Sequence, residues 1–420
     1  MALCSHSLSV ANRIISITAN RFEPFWTGSP NEVCRAIGCG DHHEMLNWMP
    51  MKAIIGVILL LFVIHPIPAA EPKSPIHLAI VGLDHDAVGD FISRARNHQD
   101  VQLVGIVESN QTLVTRYARL LNLSTNFFDS SLEGLMARTN VQAAAVFTTT
   151  FDHRRVVEAC AAHKIDVMLE KPLAVDMKDA LAMAAAARQN GIQIVVNYET
   201  SWYSSIQTAH TIVHDRHAIG DLREIMVVAG NQGPKEAGCS DAFLNWLTDP
   251  ALNGGGALTD FGCYGTDLIT WFMDGQRPTS VFAVAQHIKP EIYPQVEDEV
   301  TIVVTYPHSQ GIIHASWDLP FDERSIKIYG NTGYIYAPRM DLLRIRLADT
   351  EESDLNLPAP PQSNLLTDDI SHFAGIIRGE AKPTGPSSLQ VNIITTEILD
   401  AARKSIELGR QIVLPKDPPN

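Results

Sequence analysis

Apolar, strand-like runs alternate with helix-like blocks from Ile76 onward, and this alternation constrains the fold more than any other feature. The run from Ile76 to Gly82 is mostly apolar and ends in glycine, as buried strands of parallel sheets often do. Further strands are predicted at residues 101–107, 141–147, 166–169 and 192–196, with helices at 112–121, 154–163 and 177–189. Strands and helices that alternate at this spacing predict an α/β fold with a doubly wound parallel sheet.

The pattern changes after about residue 200. Strands are predicted at residues 222–230, 280–287, 299–306, 310–319, 325–329 and 342–347, and helices at 257–273 and 389–408. Several connections are short, which is typical of an antiparallel or mixed sheet. The acidic, proline-rich residues 349–363 are expected to form a surface loop. We therefore expect one domain over residues 71–198 and a second, α+β domain over residues 199–420.

The segment from Met51 resembles the start of a secreted protein. Lys52 is followed by an apolar run over residues 53–64, then by prolines and the pair Ala69-Ala70. A positive start, a short apolar run and small residues at the end are typical of a secretory signal peptide. We expect a signal peptide over residues 51–70, a mis-called extension over residues 1–50, and a periplasmic or secreted protein. A buried hairpin or core helix is the alternative.

Composition and charge exclude several classes of protein. A chain of 420 residues with 45% hydrophobic and 19% charged residues is long and apolar enough for packed cores. Its net charge of −15 would repel phosphate backbones and anionic membrane surfaces, so neither is an expected partner. We expect no nucleic-acid partner, and no membrane association after signal removal.

The cysteines and histidines predict no metal site. Six cysteines occur without a CxxC pair, and Cys160, Cys239 and Cys263 follow the predicted leader. One disulfide is possible there, but the spacing does not require it. Three histidines, at positions 210, 214 and 217, have metal-ligand spacing, yet their polar surroundings favour a solvated helix.

The first predicted strand leads into the loop GLDHDAVG from Gly82 to Gly89. A dinucleotide-binding loop would read GxGxxG/A, and Gly82 and Ala87 fit its first and third positions. Asp84 replaces the second glycine, and a carboxylate there opposes a pyrophosphate. Glu108 ends the second strand, where an acid accepts hydrogen bonds from ribose, which favours NAD over NADP. These residues and His85 are candidate cofactor contacts, while an ordinary strand-to-helix turn is the alternative.

Glu170-Lys171-Pro172 follows another predicted strand of the parallel sheet. Lys171 then lies at the carboxyl end of the strand, where such folds bind ligands. Its ammonium could bind a substrate hydroxyl or carbonyl and stabilise developing negative charge. On spacing alone, a simple turn is the alternative.

The third motif is GGGALTDFGCYGTD, from Gly254 to Asp267. If it is helical from Ala257, then Asp260, Tyr264 and Asp267 lie on one face and form a pocket wall. The alternative is a capping acid with a core tyrosine.

The order of these three motifs resembles the Gfo/Idh/MocA oxidoreductase family over essentially all of residues 75–415. The resemblance implies a Rossmann domain followed by an open-faced, mostly antiparallel sheet that carries oligomer contacts, as a homodimer or homotetramer. The last helix would return toward the Rossmann domain. Lys171 would be catalytic, Asp260 would lie in the substrate pocket, and Tyr264 would replace the usual acid/base histidine, as in the branch resembling glucose–fructose oxidoreductase. Since the ordinary pKa of tyrosine is near 10, Tyr264 would need help from Lys171 to act as a base.

The resemblance also assigns binding residues. Contacts to the nicotinamide half of the cofactor map to Thr148, Thr149 and Glu170. Residues near cofactor and substrate are Asn197, Tyr198 and Glu199, and further pocket candidates are Gln232, Lys235 and Trp246. The functional hypothesis is that a sugar stacks on Trp246 or Trp202. The alternative is that these are ordinary core tryptophans.

These observations predict hydride transfer between NAD(H) and a carbinol of a small sugar, glycoside or cyclitol. Because free NAD is scarce outside the cytoplasm, an exported member would hold its cofactor tightly and run a redox-neutral cycle. One alternative is a glycosidase or lyase that uses transient oxidation. The other is a non-catalytic, secreted carbohydrate-binding protein, for which Asp84 is the best support.

Overall fold

Six parallel strands form the first sheet of the computed structural model, which describes residues 73–356 and 367–415. The predicted signal peptide and the preceding extension lie outside these residues. The sheet has the order β3-β2-β1-β4-β5-β6, which is the Rossmann order. Its strands are β1 Ile76–Val81, β2 Val101–Val107, β3 Phe128–Asp129, β4 Ala143–Val146, β5 Asp166–Glu170 and β6 Ile194–Asn197.

Helices cover both faces of this sheet. The connecting helices are α1 Val88–Ala95, α2 Gln111–Leu120, α3 Leu132–Met136, α4 His153–Ala162 and α5 Met177–Asn190. Side-chain caps begin several of them: Asn110 accepts from the Thr112 N–H, and Asp176 accepts from the Asp179 N–H. All four residues of β4 are buried, as expected for a strand covered on both faces. The α/β prediction is confirmed.

Within the described residues, the second sheet has nine strands in the order β14-β13-β12-β11-β7-β10-β9-β8-β15. Its strands are β7 Leu222–Gly230, β8 Ser280–Gln286, β9 Glu299–Thr305, β10 Gln310–Ser316, β11 Glu323–Gly330, β12 Gly333–Arg339, β13 Leu342–Leu347, β14 Ser353–Asn356 and β15 Ile412–Val413. Neighbouring strands are antiparallel except for β7 and β10. Along β9, buried Val300, Ile302 and Val304 alternate with partly exposed residues, so one face is covered and the other is open.

The remaining helices pack partly on this sheet and partly against the first domain. They are α6 Ser204–His210, α7 Asp241–Leu247, α8 Pro250–Asn253, α9 Ala257–Asp260, α10 Gly262–Phe272, α11 Asp369–Ile377 and α12 Leu389–Leu408. Asp400 on α12 accepts a hydrogen bond from the Met177 N–H of the first domain, at 2.9 Å. Helix α12 therefore contacts both domains.

Two local predictions are wrong. The helix expected over residues 257–273 is broken at Phe261, because Lys171 Nζ donates to the Asp260 carbonyl at 3.1 Å while the Tyr264 N–H bonds to Phe261 instead. The loop expected over residues 349–363 contains strand β14, whose backbone pairs with β13; residues 357–363 lie outside the described part.

Two further findings concern membranes and thiols. No helix in the described part of the chain is long and apolar enough to span a bilayer. Cys160, Cys239 and Cys263 are free thiols, so the disulfide that the sequence left open is not formed among them.

Candidate active site

The loop after β1 is fixed by backbone contacts at the edge of the parallel sheet. Gly82 has φ +84°, and a Cβ there would come within 2.8 Å of the Thr148 backbone nitrogen, so only glycine fits without strain. The Asp84 and His85 N–H groups both donate to the Phe147 carbonyl at 3.0 Å. These contacts lead the chain directly into α1. The N–H groups at the N-terminus of α1 are suited to binding an anionic group.

A cavity of about 370 Å³ lies at the carboxyl ends of β1, β2 and β4. Glu108 lines it, and its two carboxylate oxygens accept from the Leu83 N–H at 2.9 Å and the Asn110 N–H at 2.7 Å. These bonds fix the carboxylate while leaving lone pairs for ribose hydroxyls. Gly82 and Thr148 line the same cavity. The cradle at Gly82 and the oriented acid together fit an adenine dinucleotide.

Asp84 also lines this cavity, where a charged carboxylate would repel the phosphates of such a ligand. Burial raises the pKa of its carboxyl to about 6, with further contributions from Glu108 and Asp152. The group is therefore neutral below about pH 6 and charged above it. At neutral pH a negative charge stands where the usual loop has glycine.

The second domain supports this loop directly. Ser240 donates to Asp86 from its backbone N–H and from its hydroxyl, both at 2.6 Å. The Trp246 indole N–H donates to the Asp84 carbonyl at 3.2 Å. The His85 ring packs edge-on against Phe243, with ring centroids 4.6 Å apart. Burial, helped by the Lys171 charge, lowers the pKa of His85 to about 3, so its imidazole is neutral.

A buried ion pair joins the two domains at the centre of the site. Lys171 follows β5, Asp260 ends α9, and the Lys171 Nζ pairs with Asp260 Oδ1. The other carboxylate oxygen accepts from the Trp317 indole N–H at 2.9 Å, and Trp317 is fully buried just after β10. Burial opposes the charge on Asp260, but Lys171 and Trp317 outweigh it and lower the pKa of the carboxyl. Asp260 is thus an ionised anchor that orients Lys171.

Tyr264 lies beneath two cations. The Lys171 ammonium is 5.3 Å from the Tyr264 ring centroid, and the Arg324 guanidinium is 5.0 Å from it. The Tyr198 ring meets Tyr264 edge-on, with centroids 5.4 Å apart. Burial nonetheless raises the pKa of Tyr264 and outweighs both cations. Lys171 lowers the pKa of Tyr264, which is the direction of the help that the sequence suggested, but desolvation is the larger effect.

A second cavity, of about 330 Å³, opens beside Lys171 and Tyr264. Asn197 donates to Glu170 at 3.2 Å and to Asp369 at 3.1 Å, and it accepts from the Trp202 indole N–H at 3.2 Å. All four side chains line this cavity. Its wall therefore carries an ordered set of donors and acceptors.

Glu170 is the acid of this wall that titrates near neutral pH. Burial raises the pKa of its carboxyl to about 7, and Asp369 adds to the shift while Lys171 opposes it. Arg94 holds Asp369 with two hydrogen bonds, at 2.6 and 2.9 Å. This pair fastens the start of α11 beside the cavity.

The structure brings most of the predicted residues together, around one or other of the two cavities. Those that line a cavity are Gly82, Asp84, His85, Ala87, Glu108, Thr148, Glu170, Lys171, Asn197, Glu199, Trp202 and Tyr264. Asp260 and Tyr198 do not line either cavity, but they contact residues that do.

Other predicted residues lie elsewhere. Thr149 caps the short helix Thr150–Asp152 by accepting from the Asp152 N–H. Trp246 is buried under the cofactor loop. Gln232 and Lys235 are exposed and line neither of these cavities. Asp267 is fully buried, and neither of its oxygens has a hydrogen-bond partner in the described residues, so it forms no pocket wall with Tyr264.

Sequence reasoning missed four side chains of the site. Trp317 and Arg324 act on Asp260 and Tyr264, but Trp317 follows β10 and Arg324 lies in β11, outside any motif. Arg94 and Asp369 are far apart in the chain. The Asp368 cap of α11, which accepts from the Ser371 N–H, is the one local signal that marked this segment.

The fold and the two cavities define a nucleotide-dependent oxidoreductase. A family model described as an oxidoreductase family with an NAD-binding Rossmann fold matches residues 76–198, and the GFO/IDH/MocA C-terminal domain model matches residues 206–336. The chain belongs to the Gfo/Idh/MocA oxidoreductase family, and its cofactor is NAD.

Curated and solved relatives agree with this assignment. Trans-1,2-dihydrobenzene-1,2-diol dehydrogenase of Sus scrofa is 26% identical over 206 residues, which are 49% of this chain and 57% of that enzyme. The match thus spans little more than half of that relative.

Two solved structures share the fold. An aldose–aldose oxidoreductase from Caulobacter crescentus, complexed with glycerol, has a TM-score of 0.69 at 20% identity and covers 81% of this chain and 100% of its own. An inositol dehydrogenase homolog from Azotobacter vinelandii, complexed with NAD+, has a TM-score of 0.71 at 18% identity, with coverages of 82% and 98%. At these identities the likeness shows the fold alone.

Replacing Asp84 with asparagine should strengthen NAD+ binding at neutral pH. The amide keeps the shape of the side chain but removes the charge that faces the pyrophosphate. We expect the dissociation constant to fall roughly three- to tenfold at about pH 7.5, with little difference at about pH 5, where Asp84 is protonated. Calorimetric titration of both proteins at both pH values measures this; an equal effect at both would contradict the role of the charge.

Proposed function

We propose that the protein transfers a hydride between NAD and a carbinol of a neutral polyol: a sugar, a glycoside or a cyclitol. One observation carries this proposal: Lys171 and Tyr264 line a cavity whose remaining wall presents paired hydrogen-bonding groups. A nicotinamide, when bound, supplies the hydride acceptor. The side chains of this chain must then bind the alcohol, orient it and handle its proton.

Lys171 stabilises the charge that develops on the substrate oxygen. Burial disfavours its ammonium form, but the Asp260 carboxylate outweighs burial and raises the pKa of Lys171, so the cation persists at neutral pH. Its position is fixed by Asp260, which Trp317 fixes in turn. A preoriented cation in a largely dry site stabilises an alkoxide far better than water does.

Tyr264 and Glu170 together transfer the proton of the substrate hydroxyl. Because burial raises the pKa of Tyr264, its hydroxyl remains protonated and acts as a hydrogen-bonding relay rather than as a phenolate. Glu170 lines the same cavity and has a pKa of about 7, so its carboxylate takes up a proton at neutral pH. On reduction of a carbonyl the same groups return the proton.

The charge and shape of the cavity favour a neutral polyol. Its acids, which include Glu170, Asp368 and Asp369, outnumber its two cations, Arg94 and Lys171, and would repel a phosphorylated sugar. Trp202 offers an aromatic face, and the Asn197 amide oxygen beside it keeps one lone pair as an acceptor for a neighbouring hydroxyl. The printed names of the relatives, a diol dehydrogenase, an aldose oxidoreductase and an inositol dehydrogenase homolog, support a ligand with several hydroxyls.

We further propose that the protein is exported and holds NAD through a redox-neutral cycle. The signal-like segment at Met51 supports export. The contacts of Asp86 with Ser240, and of Trp246 with the Asp84 carbonyl, brace the nucleotide loop and support slow release. A cofactor that stays bound must return to its starting oxidation state within the site. Oxidation of one carbinol reduces it, and reduction of a second substrate's carbonyl oxidises it again.

Turnover without added nucleotide tests both proposals. Purified protein should carry NAD(H), and its absorbance near the reduced-nicotinamide band should rise when a cyclitol or aldose is added alone. Adding an aldose acceptor should then restore the oxidised form, with the reduced sugar appearing as product. Turnover that requires added NAD+ would refute the held cofactor but keep the oxidoreductase. If no aldose or cyclitol changes the absorbance of NAD-loaded protein, the proposed substrate class is wrong.

We also propose that the open face of the second sheet joins copies of the chain into a homodimer or homotetramer. Met226 lies on the central strand β7, and Phe282 and Val284 lie on β8, next to the edge strand β15. These apolar side chains have 36%, 38% and 51% of their surfaces exposed. Apolar groups on one open face favour burial against a second copy.

Replacing Val284 with glutamate should weaken the assembly, because the charge would be buried at the interface. Light scattering coupled to size exclusion should give a smaller mass for this variant at low protein concentration. Leu120→Glu is the matched control, since Leu120 is 64% exposed on a helix of the first domain. A wild-type protein that is monomeric, or a Val284→Glu variant with unchanged mass, contradicts the proposed interface.

A further inference from the structure

Two histidines and an aspartate meet at the outer end of the second domain. His210 ends α6, and His214 lies in a π-helical turn over Thr211–Asp215. Asp274 follows the end of α10, where its φ of +52° turns the chain back. Each residue offers a ligand atom, and the three atoms all lie within 4.8 Å of one another. Two separate parts of the domain thus converge on one point.

The geometry of this cluster suits a metal ion. The His214 Nδ1 lies 3.3 Å from Asp274 Oδ2. That distance is about the edge of a tetrahedron around zinc, whose bonds to nitrogen and oxygen are about 2.0–2.2 Å long. The π turn brings the two imidazole centroids to 4.3 Å, and π turns are frequent at functional sites.

The surroundings of the two imidazoles differ. His210 is stacked on Trp271, with centroids 4.0 Å apart and ring planes 6° apart. The Nε2 of His214 is buried and has no hydrogen-bond partner within the described residues.

We propose that His210, His214 and Asp274 form a binding site for a divalent transition metal of the zinc class, with water completing the coordination. Two imidazoles and a carboxylate are ligands that zinc and cobalt accept. In the sequence, the spacing offered His217 as the third ligand, and the polar surroundings argued against a metal. In the structure His217 is exposed at φ +48° outside the cluster, and Asp274, distant in sequence, takes its place.

The ion would connect α6 and the π turn to the end of α10. None of its ligands lines the two cavities of the active site. The site is therefore structural: binding should stabilise the folded domain through mass action and leave NAD binding unchanged.

Cobalt titration of the untagged, chelator-treated full chain tests the site. The wild type should bind Co²⁺ with the visible absorption of a tetrahedral or five-coordinate ion, and Zn²⁺ should displace it. His214→Gln and Asp274→Asn should each weaken binding by at least about tenfold, because each removes one of three protein ligands. His217→Asn is the matched control and should bind as the wild type does, since asparagine tolerates positive φ.

Thermal unfolding and NAD binding provide the second measurement. Zinc should raise the midpoint of unfolding of the wild type and of His217→Asn, but not of Asp274→Asn, while all three bind NAD equally. Asp274 is exposed at the surface, so its variant decides the matter even if the His214 variant fails to fold. A wild type that binds no cobalt, or variants that bind it as tightly as the wild type, would overturn the proposal.

Discussion

The buried ion pair between Lys171 and Asp260 is the interaction on which the rest of the site depends. Its partners come from different domains, and a buried charge without a partner is strongly destabilising. The Trp317 indole N–H donates a hydrogen bond to the other oxygen of the Asp260 carboxylate. Lys171 also donates to the backbone carbonyl of Asp260, and this second bond to Lys171 breaks the helix at Phe261. One constraint therefore fixes both the fold and the chemistry. The Lys171 ammonium must stay charged, shielded from water and oriented toward the cavity.

The nucleotide loop shows a second dependence between the domains. Its backbone follows the Rossmann pattern at Gly82, yet Asp84 brings a carboxylate to the phosphate side of the cavity. Ser240 and the Trp246 indole hold this loop from the second domain. The result is a cofactor site in which loop geometry comes from packing across the domains as well as from local sequence.

Local pattern was sufficient for the parallel sheet and for placing Gly82, Glu108 and Lys171 at strand ends, which share one edge of such a sheet. The meeting of Lys171 with Asp260 and Tyr264 was expected only from the family resemblance, because Asp260 and Tyr264 lie on helices of the second domain. Strand β12 and the short strands β3, β14 and β15 were missed because pairing with neighbours, rather than their own composition, defines them. Arg324 could not be found from the sequence either, since its only signal is the position it reaches over Tyr264 once β11 has paired with β7.

A double-mutant cycle on Lys171 and Asp260 tests the central claim most directly. The measured quantity is the single-turnover rate of nicotinamide reduction by a polyol, in Lys171→Met, Asp260→Asn and the double variant, each shown to bind NAD. If the pair acts as one unit, each single change should slow the rate by about a hundredfold or more, and the double variant should be no slower than the worse single variant. Losses that multiply in the double variant would show that the two residues act independently, and would contradict the account.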